Sequence, residues 1–159
     1  PFLGQPHVIR HRPDARGGVW IEQAADGISE IHVTGRAEHL PRRLGDWLRR
    51  EARRRIQPRV EAAASALGAK PGRITVRDTK SRWGSCAANG NLSFSWRLVL
   101  APERVLDYVV AHEVAHLREH NHGPRFWALV QGLIADMDDC RKWLRDEGSA
   151  LHLIGADST

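Results

Sequence analysis

Two histidines and a glutamate in the segment VVAHEVAHLREHNHGPRFW, residues 109–127, have the types and spacing of a catalytic metal site. His112 and His116 are four residues apart, so on a helix their side chains lie on one face about 6 Å apart. Both imidazoles can then bind one zinc ion at ~2.0–2.1 Å. Glu113 is turned by about 100° from His112, which directs it to a water on the ion rather than to the ion. The pattern H-E-x-x-H therefore predicts two ligands and a general base that takes a proton from a water of lowered pKa.

The residues around this pattern indicate that its helix is buried. Apolar side chains cover nearly all of the helix surface: Val105, Leu106, Val109, Val110, Ala111, Val114, Ala115 and Leu117. Burying imidazoles and a carboxylate without partners costs several kcal/mol, roughly 2–7 for each polar group. The alternative, a surface helix that carries histidines by chance, leaves this burial unexplained, and the context favours a metal site.

A catalytic zinc ion usually takes a third protein ligand. The helix is expected to run to about Glu119. Asn121 tolerates the left-handed conformation that ends helices, and Pro124 suits the first position of the next helix. The chain can turn back between them, which favours His122 as the third ligand. Glu119 is the second choice, because it lies about one turn beyond His116 and can reach the ion only if the helix continues. His120 is the third choice.

The rest of the chain has the element order of one small α+β domain. The predicted elements are short strands within residues 7–35 with a hairpin turn at Ala25-Asp26-Gly27, an amphipathic helix over residues 41–68 that kinks or restarts at Pro58, a strand from Ile74, a Gly-rich loop, a strand over Asn91–Leu100, a helix from Glu103, a helix from Pro124 to Met137, and a last short helix holding Cys140, Trp143 and Leu144.

We expect these elements to form a single metallohydrolase domain over residues 1–159. Its predicted parts are N-terminal strands (1–40), arginine-rich helices (41–68), a core (69–147) and a C-terminal tail (148–159). The chain does not begin with Met, so the N-terminal strands could be truncated upstream.

Composition indicates a protein of the cytoplasm with no membrane partner. No apolar run approaches the ~18–20 residues that span a bilayer, and the start PFLGQPHVIRHRP lacks the pattern of a signal peptide. Cys86 and Cys140 are far apart, which favours reduced thiols. The net charge of +5 is concentrated in nine arginines between Arg36 and Arg59. Such a band can contact nucleic acid or phosphate, although a solvated helix face is the alternative.

Three segments, TKSRWGSC, GNLSFSWRLVLAPERVLDYVVAHEVAHL and NHGPRFW, resemble the bacterial YgjP-like metallopeptidases, small relatives of the SprT and minigluzincin group of zinc hydrolases. The resemblance extends over residues 41–144. It implies Zn²⁺ as the cofactor, with His112, His116 and His122 as ligands and Glu113 as the base. It also implies a zincin-like fold, in which a small mixed β-sheet packs on helices that include a buried zinc-binding helix.

The resemblance further implies that an edge strand beside the zinc helix pairs with an extended substrate. Residues 91–96 are the predicted edge strand. The residues predicted to bind substrate are Trp83, Gly84, Asn91, Ser93 and His120. In the loop before them, Lys80 and Arg82 could hold an anionic group.

Three other residues have possible supporting roles near the site. Tyr108 faces the same side of the helix as His112 and could donate to an oxyanion, although a core tyrosine is the simpler interpretation. Asp107 and Asp136 could orient a ligand histidine.

The leading prediction is a zinc-dependent metallopeptidase acting on a peptide or protein substrate. In it, water activated by Glu113 attacks a peptide carbonyl, and Glu113 passes the proton to the leaving amine. One alternative keeps the metal and hydrolyses UTP, an activity that the resemblance implies for some YgjP-like members. The residues that could then bind phosphates are Lys80, Arg82, Arg97 and Arg125. Another is a DNA-associated, SprT-like protease that uses the arginine band.

Overall fold

The computed structural model describes residues 1–155, which form two three-stranded β-sheets and four α-helices. The α+β class predicted from the sequence is confirmed. The elements are β1 (Val8–Arg12), β2 (Val19–Gln23), β3 (Ser29–Thr34), α1 (Leu40–Leu67), β4 (Ile74–Arg77), β5 (Gly84–Cys86), β6 (Leu92–Ser95), α2 (Glu103–Ala115), α3 (Pro124–Leu133) and α4 (Met137–His152). Of the predicted tail over residues 148–159, residues 148–152 belong to α4, and residues 156–159 lie outside the described part.

The first sheet has the order β1-β3-β2, with β1 parallel and β2 antiparallel to β3. β2 and β3 form the predicted hairpin. Its turn contains Gly27 at φ 85°, and Oδ1 of Asp26 accepts a hydrogen bond from the backbone N–H of Ile28. These are the turn preferences that the sequence signals. β3 packs against α1, with Ile31 and Val33 in the core.

Helix α1 is one continuous element of 28 residues. Its buried side chains follow the predicted four-residue stripe: Trp47, Leu48, Ala52, Ile56, Val60 and Ala64. Gly68 ends it in the left-handed conformation. The predicted restart at Pro58 is wrong, because the helix runs through this exposed proline. Burial of the opposite face stabilises the helix enough to offset the missing backbone hydrogen bond.

The second sheet has the order β4-β6-β5, so β6 is the central strand and β5 lies at an edge. β4 is parallel and β5 antiparallel to β6. The prediction that residues 91–96 form an edge strand is therefore wrong, because residues 84–86 pair with that strand on its far side. Helix α2 packs against β5. The edge beside the histidine helix is Gly84–Cys86.

The run Asn91–Leu100, predicted as one strand, changes conformation at Ser95. The Ser95 hydroxyl accepts a hydrogen bond from the backbone N–H of Arg97, and Trp96–Leu100 form a 3₁₀ helix with every side chain buried. The guanidinium of Arg97 donates to the carboxylate of Asp78 and to two backbone carbonyls. The strand alternation predicted that the side chain at position 97 faces solvent, whereas Arg97 is buried and bound to Asp78.

The later helices differ in length from the prediction. α2 ends at Ala115, with His116 as its cap, rather than near Glu119. α3 ends at Leu133 rather than Met137, where α4 begins and continues for 16 residues. No helix within residues 1–155 has the length and apolar character needed to cross a membrane.

Candidate active site

Three histidine side chains converge at the end of α2. His112 and His116 lie one helical turn apart, and His122 approaches from the loop before α3. One ring nitrogen of each lies within 4.8 Å of the other two, and Nε2 of His116 is 3.0 Å from Nε2 of His122. Three nitrogens bound to one tetrahedral zinc ion lie about 3.3 Å apart. The donor set therefore fits a single zinc ion.

A tight turn after α2 brings His122 back toward the helix. The backbone N–H groups of residues 117 and 118 donate to carbonyl oxygens three positions earlier, which tightens the helix end. The sequence predicted that Asn121 would end the helix in the left-handed conformation. That prediction is wrong, because among the described residues other than glycine only Leu3 has a positive φ.

Two hydrogen-bonding groups orient the helix histidines. Nδ1 of His116 donates to the carbonyl oxygen of Glu119 at 3.1 Å, which leaves its Nε2 unprotonated and directed at His122. The hydroxyl of Tyr108 lies 3.4 Å from Nδ1 of His112. A partner on the second ring nitrogen fixes the tautomer and the ring plane of a metal ligand. Both contacts leave Nε2 as the nitrogen available to a metal.

The acidic residues predicted for this orienting role lie elsewhere. Asp107 accepts a hydrogen bond from Arg59 of α1 at 2.6 Å. Asp136 lies 3.9 Å from Arg104. The prediction is wrong for both, because their carboxylates pair with arginines away from the histidines.

Aromatic side chains of α3 support the three imidazoles. Phe126 is fully buried, and its ring stacks on His116 with centroids 4.4 Å apart and an interplanar angle of 24°. The ring of Trp127 stacks on His122 at 5.9 Å. Sequence reasoning placed both residues only on a helix. Their spacing of four and five residues after His122 is the signal that could have linked them to the site.

The histidines are held in the form that binds metals. Burial lowers the pKa of His112 to about 4, with further lowering by the charges of His116, His122 and Arg141. Burial also lowers the pKa of His116. At neutral pH both imidazoles are uncharged and can offer a nitrogen lone pair.

Glu113 lies next to the histidines with 7% of its surface exposed. Burial raises its pKa to about 7, an effect that the nearby charge of Arg82 partly opposes. The Glu113 side chain packs on Gly84 of β5 so closely that an added Cβ would lie 2.8 Å from its Cγ. The absence of a side chain at position 84 makes room for the carboxyl group beside the edge strand.

A cavity of about 230 Å³ opens beside Glu113 and His112. Its other lining residues are Arg82, Trp83, Gly84, Tyr108, Val109 and Leu144. The structure thus places Trp83 and Gly84, both predicted to bind substrate, in the same cavity as Glu113 and His112. Leu144 was missed, because the sequence predicted only a short helix there. The cavity is large enough for one substrate side chain.

The model of the YgjP-like metallopeptidase domain family matches residues 1–147. The chain belongs to this family. It is therefore an enzyme of the metallopeptidase class, and the class implies a divalent metal. Among curated proteins, no sequence matches the chain.

Two solved structures resemble this YgjP-like protein in fold. They are the metallopeptidase zymogens abylysin from Pyrococcus abyssi and jannalysin from Methanocaldococcus jannaschii. Each has 19% sequence identity and a TM-score of 0.52, over 58% of this chain and 95% of the other. At this identity the likeness concerns the fold, and it confirms the zincin-like architecture.

The remaining predicted substrate-binding residues of this YgjP-like protein lie apart from the cavity. Asn91 Oδ1 accepts a hydrogen bond from the backbone N–H of Arg73. Ser93 is on the central strand, with its hydroxyl 2.6 Å from that of Ser85. His120 is exposed and lines a separate depression. The structure does not bring these three side chains to the cavity beside Glu113.

Proposed function

We propose that this chain is a zinc-dependent peptidase in which His112, His116 and His122 hold the metal and Glu113 is the general base. One observation carries the proposal: three imidazole nitrogens converge beside a buried carboxyl group in a chain of a metallopeptidase family. When bound, zinc supplies Lewis-acid polarisation of a carbonyl group and lowers the pKa of a water.

In this proposal Glu113 moves the proton. Its carboxylate accepts a proton from the water that attacks the peptide carbonyl carbon and then delivers that proton to the leaving amine nitrogen. The hydrogen bond to Glu119 and the contact with Tyr108 keep His116 and His112 in place during these transfers.

An extended peptide fits beside β5. Within the described residues this strand pairs on one side only, so its outer edge can add a substrate strand through backbone hydrogen bonds. Gly84, at the start of β5, lies against Glu113. A peptide on this edge would pass the base and place one side chain in the cavity.

The test compares substrate classes. Zinc-loaded and metal-free protein are incubated with a panel of unfolded proteins and, separately, with UTP, and products are measured by mass spectrometry. We expect zinc-dependent cleavage of unfolded proteins and no turnover of UTP. Turnover of UTP without peptide cleavage would replace this proposal with the pyrophosphatase alternative.

Two observations speak against that alternative. Arg97, one of its predicted phosphate-binding residues, is buried at 2% exposure and paired with Asp78, so that prediction is wrong. Histidines form the one metal-binding group found in residues 1–155, whereas phosphate chemistry more often uses carboxylate-bound Mg²⁺.

The arginine band is smaller than the sequence indicated. The arginines already held in ion pairs with nearby carboxylates are Arg36, Arg49, Arg54, Arg55 and Arg59. Arg42, Arg50 and Arg53 are exposed and have no ion pair within the described residues. A nucleic-acid contact through these three stays a prediction. DNA binding that weakens steeply with salt and is lost in their triple Gln variant would support it.

A further inference from the structure

Two arginines, Arg82 and Arg141, lie near Glu113 and the three histidines. Arg82 lines the cavity that also contains Glu113 and His112. Arg141, on α4, lies over the ring of Trp127 at 4.4 Å. Neither guanidinium forms an ion pair with another residue in the described part of the chain. Both guanidiniums can therefore form an ion pair with an outside anion.

Arg82 is on the Glu113 side of the cleft. It immediately precedes Trp83 and the edge strand β5, and its side chain is exposed. Arg82 and Glu113 line the same cavity, and no hydrogen bond or ion pair joins them. A substrate strand lying along β5 would pass directly beside this guanidinium.

Arg141 is on the histidine side. It precedes the cavity residue Leu144 by three positions, and thus by about one turn of α4. The ring of Trp127, which the Arg141 guanidinium covers, stacks in turn on His122 with centroids 5.9 Å apart. The two arginines therefore lie near Glu113 and the histidines on different elements, Arg82 in the loop before β5 and Arg141 on α4.

We propose that Arg82 and Arg141 select peptide substrates that carry a carboxylate close to the bond that is cut. This inference rests on the proposed peptidase function. A guanidinium offers a planar fork of donors that matches a carboxylate, and it discriminates against the uncharged amide of the same shape. The carboxylate has two possible sources, an Asp or Glu side chain or the C-terminus of a short peptide.

The first arm of the test measures cleavage. Zinc-loaded protein digests a peptide library prepared with free and with amidated C-termini, and the residues around each cut are aligned by mass spectrometry. Enrichment of Asp or Glu in both libraries identifies a side-chain carboxylate. Cuts at a fixed distance from a free C-terminus, lost on amidation, identify the terminal carboxylate. Uniform cutting in both libraries overturns the inference and leaves the peptidase proposal standing.

Variants that reverse the charge of each arginine test whether these two residues cause the preference for acidic peptides. Arg82→Glu and Arg141→Glu are expected to weaken the preference for acidic peptides by about tenfold each and to favour Lys or Arg instead. Arg53→Glu is the matched control, because it reverses the charge of an exposed arginine on α1 that lines a different depression and has no ion pair within the described residues. It should leave the preference unchanged. Preferences identical in all three variants would overturn the inference.

The second arm measures binding without turnover. Zinc-loaded Glu113→Gln protein is titrated with two peptides that differ only by Glu or Gln at one position, and tryptophan fluorescence is followed. We expect about tenfold tighter binding of the Glu peptide, lost in Arg82→Gln and Arg141→Gln backgrounds. Equal binding of the Glu and Gln peptides would contradict the inference, whether or not any peptide is cut. Failure of the zinc-loaded protein to cut any peptide would contradict the peptidase proposal instead.

Discussion

Gly84 and Glu113 are packed so tightly that a methyl group at position 84 would lie 2.8 Å from Cγ and 3.1 Å from Oε2 of the glutamate. This close packing fixes the position of the Glu113 carboxyl group relative to the edge strand β5. The same methyl group would lie 3.2 Å from the backbone carbonyl oxygen of Ser93, on the neighbouring strand β6. A side chain at position 84 can be accommodated only if Glu113 moves.

Gly84→Ala should reduce peptidase activity without removing zinc. Displacement of a catalytic group by about 1 Å costs on the order of 100-fold in rate, so we expect kcat/KM to fall by about that factor. Gly45→Ala is the control, because a Cβ there meets nothing within 4 Å, and it should retain full activity. Full activity in Gly84→Ala would show that the position of Glu113 is not critical.

His122 and His120 should differ sharply in their effect on metal binding. His122→Ala removes one of three converging nitrogens, and we expect zinc affinity to fall by more than the 10–100-fold typical of losing an outer partner. His120→Ala removes an imidazole of the same kind two residues away and should leave affinity unchanged. Competition with a fluorescent chelator measures both. Loss of zinc in the His120 variant alone would contradict the proposed ligand set.

Tyr108→Phe separates two roles of the hydroxyl. If the hydroxyl orients His112 across the 3.4 Å contact, its removal should weaken zinc binding by about tenfold or less. Activity at saturating zinc should then be nearly unchanged. If zinc affinity is unchanged and kcat falls strongly, the Tyr108 hydroxyl instead donates a hydrogen bond to the oxyanion that forms in the transition state.

Asp78→Asn should destabilise the fold, because Arg97 is buried with only 3% of its side chain exposed. Asp78 is itself half-exposed, so we expect a loss of about 2 kcal/mol, below the range for fully buried pairs. Asp146→Asn, in the exposed pair with Lys142, should change the free energy of unfolding by less than about 0.5 kcal/mol. Urea unfolding measures both, and equal effects would contradict this assignment.

The same pair predicts an acid dependence of stability. Burial raises the pKa of Asp78, but the hydrogen bond and charge of Arg97, with smaller contributions from Trp96 and Arg49, outweigh it and leave the pKa below its ordinary value. The folded state therefore binds this proton less readily than the unfolded state, so the stabilisation is present above a pH of about 4 and is lost as the pH falls further. The Asn variant should show a weaker loss over that range. Identical acid profiles would argue against the pair.

Short-range geometry made the centre of the site predictable. Helical spacing alone brings His112 and His116 to one face and turns Glu113 aside. The apolar run around them predicted a buried helix, and the structure buries it. The hairpin at residues 25–27 was predictable for the same reason, since turn residues act locally.

The parts that sequence reasoning missed depend on long-range contacts. The position of β6 at the centre of its sheet follows from pairing with β5, which no local pattern specifies. The burial of Arg97 depends on Asp78, nineteen residues earlier. The partner of His116 is a backbone carbonyl, and every residue has one, so the sequence could not single out Glu119.

The most direct test of the account compares wild-type protein with Glu113→Gln for zinc content and peptide cleavage. Gln is nearly isosteric and keeps the three imidazoles in place, so both proteins should bind one zinc ion per chain. The variant should lose at least about 100-fold in kcat at neutral pH, because its amide cannot accept the proton. Equal zinc content with undiminished cleavage would contradict the role of Glu113, and absence of bound zinc from both proteins would contradict the metal site itself.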